Sequence, residues 1–331
     1  MVLAAATAAV ASGARADCAS DTHLSTCIVA DGVWPHAGPG PFAFVAPAEP
    51  VASGAVAAGL TATYIARPIV LDVPSADPAG AQFEAVASLW GATVLGAFGI
   101  RPGIEADVAV PFALARSGVG VSPLTDQRTT ALPGSSFGDV RAGAVFRLLR
   151  SPPEQVPAFR LAARLDLAFP TGDENAFFGE RTLVVAPAVS GSLESGRWFA
   201  GGELGARLRG VNDLAGSRVG PELLVALGAG AALLEDGALT VQLEAMALPT
   251  TVAQHQLAYV AATGRREIVG SGTALVPAEW HASARVLFTP SLSASAGAGG
   301  ALPFFGAADL TAPRFRFVLS LRWVLGGSES L

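Results

Sequence analysis

A strict alternation of apolar and polar residues is the feature that most limits what this chain can fold into. One parity of residues 159–169 is apolar, whereas the other carries Arg160, Arg164 and Asp166. Residues 315–325 repeat the pattern. Only a β-strand places alternate residues on opposite faces. The sequence therefore predicts strands that have one apolar and one polar face.

The same alternation, or a more apolar and glycine-rich version of it, predicts an all-β fold of about twelve strands. The predicted strands are residues 56–64, 83–98, 104–112, 140–148, 159–169, 183–193, 198–208, 223–233, 239–247, 280–288, 292–302 and 315–325. Short and long connections alternate between them. Short turns at one end and long loops at the other are typical of a closed antiparallel up-and-down transmembrane β-barrel. A secreted soluble sandwich, the nearest alternative, has no reason to sort its loops in this way.

Composition supports a membrane protein without helical spans. Hydrophobic residues make up 51% of the chain and charged residues 15%, and the mean hydropathy is +0.48. No apolar run outside the N-terminus reaches the roughly 18 residues of a membrane helix, and 38 glycines and 23 prolines favour short strands joined by turns. A net charge of −6 does not attract a polyanion, so we expect no nucleic-acid partner.

The N-terminus has the features of an exported protein. Residues 1–16 are predicted to be a signal peptide, which leaves Asp17 as the first mature residue. Residues 17–50, rich in proline, are predicted to be an extended periplasmic lead-in. Cys18 and Cys27 would form a disulfide in an oxidising compartment, and two free thiols are the alternative. The barrel is predicted at 51–325, followed by a short tail at 326–331.

Aromatic residues recur near the predicted strand ends, on the face opposite the charges. Such residues form girdles at the two interfaces of a membrane barrel and contact outer-membrane lipid. With a periplasmic N-terminus, the inner girdle is Phe98, Phe146, Trp198, Phe288 and Trp323, and the outer girdle is Phe112, Phe169, Trp280 and Phe315.

The polar faces of the strands would line the lumen. The charged residues predicted there are Arg141, Arg147, Arg160, Arg164, Asp166, Glu203, Arg207, Arg209, Glu244, Arg285, Arg316 and Arg322. They could pair with one another across a filled interior that passes nothing, or they could line a narrow water-filled path that favours anions. About twelve strands lie between the filled and the open barrels, so both alternatives stay open.

The sequence predicts no enzyme, no cofactor and no metal site. His281 and Ser283 share one face of a strand, but no nucleophile motif and no orienting acid or amide accompanies them. Asp173, Glu174 and Glu180 could bind calcium, although such residues more often belong to a solvated loop.

Two short motifs resemble a known family. Residues 138–143 (GDVRAG), which enter a strand, and residues 165–173 (LDLAFPTGD), at a strand end, are similar to the barrel domain of OmpA-like outer-membrane proteins. They are also similar to the related outer-membrane transporters of the meta-pathway phenol-degradation family, and residues 31–39 and 67–71 fit the OmpA-like group best. The resemblance implies an outer-membrane barrel with no catalytic residues to carry over. Because little chain follows Leu325, we expect no peptidoglycan-binding domain here.

These observations together predict a single exported barrel in the cell outer membrane. Its expected role is a narrow passive pore or transporter for small solutes, and the alternative is a structural or surface-displaying barrel with a filled interior. Binding through the long loops at 116–135 and 250–275 is a third possibility. The expected partners are outer-membrane lipid, the barrel-assembly machinery and small solutes.

Overall fold

Twelve antiparallel strands close into a barrel in the computed structural model of this chain. The structure describes residues 24–38, 40–77, 80–124, 132–152, 154–234, 237–271, 275–302 and 312–326. The predicted signal peptide, Cys18 and most of the predicted C-terminal tail lie outside these residues. Among the described helices, none is long and apolar enough to cross a membrane.

Seventeen strands occur in the described residues, and twelve of them build the barrel wall. In chain order they are β1 (Val56–Val73), β2 (Ala81–Arg101), β3 (Ile104–Ser117), β4 (Ser136–Phe137), β5 (Arg141–Arg150), β6 (Ala158–Ala168), β7 (Val184–Ser195), β8 (Trp198–Arg207), β9 (Asn212–Leu214), β10 (Ser217–Val219), β11 (Glu222–Ala232), β12 (Leu239–Ala247), β13 (His255–Val260), β14 (Arg265–Gly270), β15 (Ala278–Thr289), β16 (Leu292–Ala301) and β17 (Phe315–Leu325). Single-turn helices lie at Ser122–Leu124 and Glu174–Ala176.

The wall closes where the last strand meets the first. β17 pairs with β1 in one continuous register, from Val56 opposite Leu325 to Ala66 opposite Phe315. The short β4 adds one pairing beside β3, while β9–β10 and β13–β14 form two small hairpins in the long loops. Because every edge of the wall is paired, the backbone amides of the sheet need no water.

The predicted fold class is confirmed. Each of the twelve predicted strands matches one strand of the wall, and the short and long connections alternate as predicted. β1 and β2 extend further than expected at the long-loop end. There Arg67, with a φ of 52°, lies in a bulge that interrupts the alternation, and pairing resumes beyond it.

An apolar belt covers the outside of the wall. Outward-facing Leu204, Leu227 and Leu243 are 63%, 64% and 58% exposed, as is typical of residues on the lipid-facing side of a membrane barrel. Eight of the predicted girdle aromatics are also exposed: Phe98, Phe146, Phe169, Trp198, Trp280, Phe288, Phe315 and Trp323. The ninth, Phe112, is half-buried against Phe137.

The described residues that precede β1 enter the barrel interior. Ser25 and Ala30 hydrogen-bond through their backbone amides to loop carbonyls at the long-loop end, those of Asp213 and Phe177. The chain then runs through the lumen to the short-turn end, where β1 begins. We call residues 31–51, apart from the undescribed Pro39, the luminal segment. The predicted periplasmic position of residues 17–50 is therefore wrong for the luminal segment, because the inward-facing charges bind its backbone.

Candidate functional site in the barrel lumen

Buried ion pairs form one part of the lumen. The Arg164 guanidinium lies 2.6 Å from the Asp107 carboxylate and 2.7 Å from that of Asp166. Arg209 pairs with Glu180 and Glu222, near the long-loop end. All of these side chains are at least nine-tenths buried. Burial raises the pKa of the Glu180 carboxyl in its loop, and the facing Arg209 opposes that rise.

Glu49 and Asp31, near the two ends of the luminal segment, form ion pairs with arginines of the wall. Glu49 accepts a 2.5 Å hydrogen bond from Arg147 and lies 3.4 Å from Arg160. Asp31 lies 2.9 Å from Arg316, which also pairs with Glu279 at 2.7 Å. Each end of the segment therefore contributes one carboxylate to an arginine of the wall.

Between these ends the wall binds the backbone of the segment. Glu244 accepts hydrogen bonds from three consecutive amides, those of Ala43, Phe44 and Val45, at 2.9, 2.6 and 3.2 Å. Glu203 accepts the amide of Ala46 at 3.0 Å. A carboxylate oxygen is a stronger hydrogen-bond acceptor than a neutral oxygen, so these four contacts bind the segment well.

The opposite side of the backbone is bound by donors. Arg322 donates to the carbonyls of Gly40 and Phe42, at 2.6 and 3.0 Å. Arg207 donates to the carbonyl of Gly32 at 2.8 Å. The barrel thus satisfies both amides and carbonyls of a segment that has no sheet partner of its own.

Aromatic side chains of the segment fill the remaining space. The Trp34 ring lies 4.3 Å from the Arg207 guanidinium carbon and 4.8 Å from that of Arg141, both measured to the ring centroid. The Phe42 ring fits where the wall has glycine. A Cβ on Gly228 would lie 2.7 Å from it, so a larger residue there would displace the ring.

Two predicted lumen arginines have neither a hydrogen-bond nor an ion-pair partner among the described residues. Arg141 and Arg285 form no hydrogen bond or ion pair with any described residue, although Arg141 is only 7% exposed. A guanidinium buried without an acceptor is costly, because its five N–H groups lose their water. Arg141 lies beside a cavity, which is where such donors would find a ligand.

That cavity lies near the long-loop end of the lumen, with a volume of about 60 Å³. Its lining includes Val33 and Trp34 of the luminal segment and Arg141 and Arg207 of the wall. A second cavity of about 20 Å³ lies deeper, beside His36. Beside the luminal segment, these two cavities have room for about four water molecules and about one, far less than the width of an empty barrel.

The residues considered for catalysis do not assemble an active site. The His281 ring is buried and stacks on Phe44, with 4.9 Å between the ring centroids. Its Nδ1 lies 3.7 Å from Glu244 Oε1, beyond hydrogen-bond distance, and Ser283 Oγ has no hydrogen-bond partner among the described residues. The acid opposite His281 comes from the neighbouring strand, which only the strand register reveals.

The residues considered for calcium have structural roles. Asp173 caps the helix at Glu174–Ala176 by accepting the amide of Asn175, and Glu180 pairs with Arg209. No cluster of three potential ligands is found in the described part of the chain. Cys27 is buried at the long-loop end, and its predicted disulfide with the undescribed Cys18 stays a prediction.

The sequence identified most of the lumen arginines, but it did not identify all of the acidic residues that pair with them. Glu279 and Glu222 were absent from the predicted lumen set because each lies next to a strand boundary. Outside the lumen, the rings of Tyr64 and Trp90 pack in a tilted arrangement with centroids 4.7 Å apart and add to the aromatic residues near the outer rim. Their position was readable from the parity of β1 and β2.

Comparisons with known proteins agree with this architecture. No family model matches the sequence, and no curated protein matches it. Among solved structures, an outer-membrane channel from Pseudomonas putida F1 is similar, with 15% identity and a TM-score of 0.55, over 85% of this chain and 100% of that one. A NanC porin matches with 9% identity and a TM-score of 0.46, over 80% of this chain and 98% of that one. The first likeness shows that this chain has the fold of an outer-membrane channel barrel.

Proposed function

We propose that this chain is an outer-membrane channel for small solutes and that the luminal segment closes it in the observed conformation. The observation that carries the proposal is how the segment is held. Glu244, Glu203, Arg322 and Arg207 bind its backbone, and these are bonds that water can replace. If the segment shifts, the side chains left behind form a polar, hydrated wall, as the lumen of a channel requires.

The apolar belt supports the location. A closed wall with lipid-compatible residues outside and charges inside is stable only across a bilayer, and strand barrels of this kind belong to the outer membrane. Export by the predicted signal peptide and insertion by the barrel-assembly machinery are parts of the same proposal. So is membership of the OmpA-like and phenol-pathway transporter groups, which the motifs at 138–143 and 165–173 suggest.

A structural barrel without transport is the second candidate, and one observation favours it. The segment is fixed along its whole length, from the Asp31–Arg316 pair to the Glu49 cluster. Complete removal of the segment would break all of these contacts together. If the chain conducts, it therefore does so through a partial shift of the segment. If no such shift occurs, the chain is a structural barrel.

Conductance in a planar bilayer separates the two candidates. We expect the refolded full chain, checked by the heat-dependent shift of a folded barrel on a gel, to give small and infrequent openings. A variant with a weakened segment should open more often. A folded protein that stays electrically silent in both forms would reject the channel and leave the structural barrel.

A further inference from the structure

We propose that the cavity beside Trp34 binds a small carboxylate with a short apolar tail, and that Arg141 is its principal ligand. The inference deepens the proposed function, since it takes this ligand to represent the class of solute that passes. Among the described residues, Arg141 is the unpartnered group at this cavity. The carbon of its guanidinium lies over the Trp34 ring, 4.8 Å from the centroid, and this cation–π contact supplies no hydrogen-bond acceptor in the ring plane for the N–H groups.

The edges of that guanidinium have no acceptor among the described residues. Arg141 is 7% exposed, forms no hydrogen bond or ion pair within the described part of the chain, and lines the cavity. The other two arginines on the lining do have partners, since Arg207 donates one hydrogen bond to the Gly32 carbonyl and Arg209 pairs with Glu180 and Glu222. An anion in the cavity would supply the acceptor that Arg141 lacks.

Size and lining restrict the anion. A volume of about 60 Å³ holds about four water molecules, which suits a ligand of about that many non-hydrogen atoms or slightly more. Val33, Phe178 and Leu248 supply apolar surface on the lining. The carboxylates on the same lining, Asp139 and Glu180 among them, would repel a second negative charge. A monoanion with a few carbons, such as propionate, fits these limits.

The carboxylates on the lining do not compete for Arg141. Asp139 accepts the backbone amides of Thr171, Gly172 and Glu180, at 3.1, 2.8 and 2.7 Å. Asp31 is paired with Arg316. These acids are committed to loop and segment contacts, so they hold the cavity in shape while the Arg141 donors stay available.

Equilibrium dialysis of radiolabelled propionate against the folded, detergent-solubilised full chain tests the site. We expect saturable binding of one propionate per chain. Arg141→Gln should weaken it by about tenfold or more, because one charge-assisted contact is lost. The matched control is Arg285→Gln, since Arg285 also lacks a partner among the described residues but does not line this cavity, and it should bind as the native chain does.

A second variant guards against misfolding of the first. Ala168 lines the cavity, and Ala168→Leu would fill it while every charge stays in place. Loss of binding in this variant supports the site. Native-like binding in folded Arg141→Gln, or no saturable binding to the native chain, overturns the inference.

Conductance measured on the same preparations keeps the two proposals apart. Arg141-dependent binding in an electrically silent barrel would support the site and reject the channel. Conduction without saturable propionate binding would reject the site and leave the channel.

Discussion

Replacing Glu244 with glutamine should loosen the luminal segment without opening the wall. The Glu244 carboxylate accepts the amides of Ala43, Phe44 and Val45 at 2.9, 2.6 and 3.2 Å. A carboxamide has one oxygen and one NH₂ group, so at least one amide faces a donor instead of an acceptor. The remaining amides bond to a neutral oxygen, which is a weaker acceptor than a charged one.

The expected loss can be worked from these contacts. One unsatisfied amide and the loss of charge from the others should destabilise the closed state by about 3 kcal/mol. An energy of that size raises the ratio of open to closed channels by about a hundredfold. The barrel itself should stay folded, because Glu244 makes no ion pair with the described part of the wall other than its long approach to His281.

Single-channel recording in planar bilayers measures this ratio directly. Glu222→Gln is the matched control, since Glu222 is equally buried but pairs with Arg209 and makes no hydrogen bond to the luminal segment among the described residues. We expect the control to record close to the native ratio. If Glu244→Gln and the control open equally often, with both showing the gel shift of a folded barrel, the segment does not set conduction.

Three further predictions follow from packing, charge and covalent structure. Gly228→Val should displace the Phe42 ring, because atoms of that ring lie 2.7–3.1 Å from the position that the new Cβ would take. A protease should then cut the luminal segment faster, and an unchanged cleavage rate would mean that the ring does not pack there. Arg164→Gln should destabilise the barrel by about 3–5 kcal/mol, because Asp107 and Asp166 lose their shared cation. The control Arg67→Gln, at the more exposed pair with Glu84, should destabilise it by at most about 1 kcal/mol. Equal melting temperatures of the two variants in thermal gel-shift curves would contradict this prediction. The two cysteines of the unreduced, denatured chain should resist alkylation, and a mass gain of two adducts would reject the disulfide.

The wall of the barrel could be predicted because its signal is local. In β17 every second residue faces lipid, from Phe315 to Leu325, and the residues between them include Arg316 and Arg322. The free energy of placing each side chain in lipid or in a polar lumen acts on that residue alone, so the alternation is visible without knowing the neighbouring strands. Strand count and loop order followed from the same signal.

The filling of the lumen could not be predicted, because its contacts join side chains to backbone. The three amides bound by Glu244 belong to Ala43, Phe44 and Val45, and any three residues other than proline would offer the same donors. The segment has few charges of its own, and the pairing of Asp31 with Arg316 joins residues far apart in the chain. Proline and glycine made the segment look like a linker, although the same residues let it run extended through a barrel.

Amide hydrogen exchange of residues 42–46 tests the central claim most directly, namely that the charged wall holds the luminal segment inside the barrel. If Glu244 and Glu203 bind these amides, Phe44, Val45 and Ala46 should exchange slowly in the folded native protein. They should exchange faster in Glu244→Gln, while the strands of the wall stay protected. Exchange of these amides at the rate of an unfolded peptide in the native protein would contradict the account.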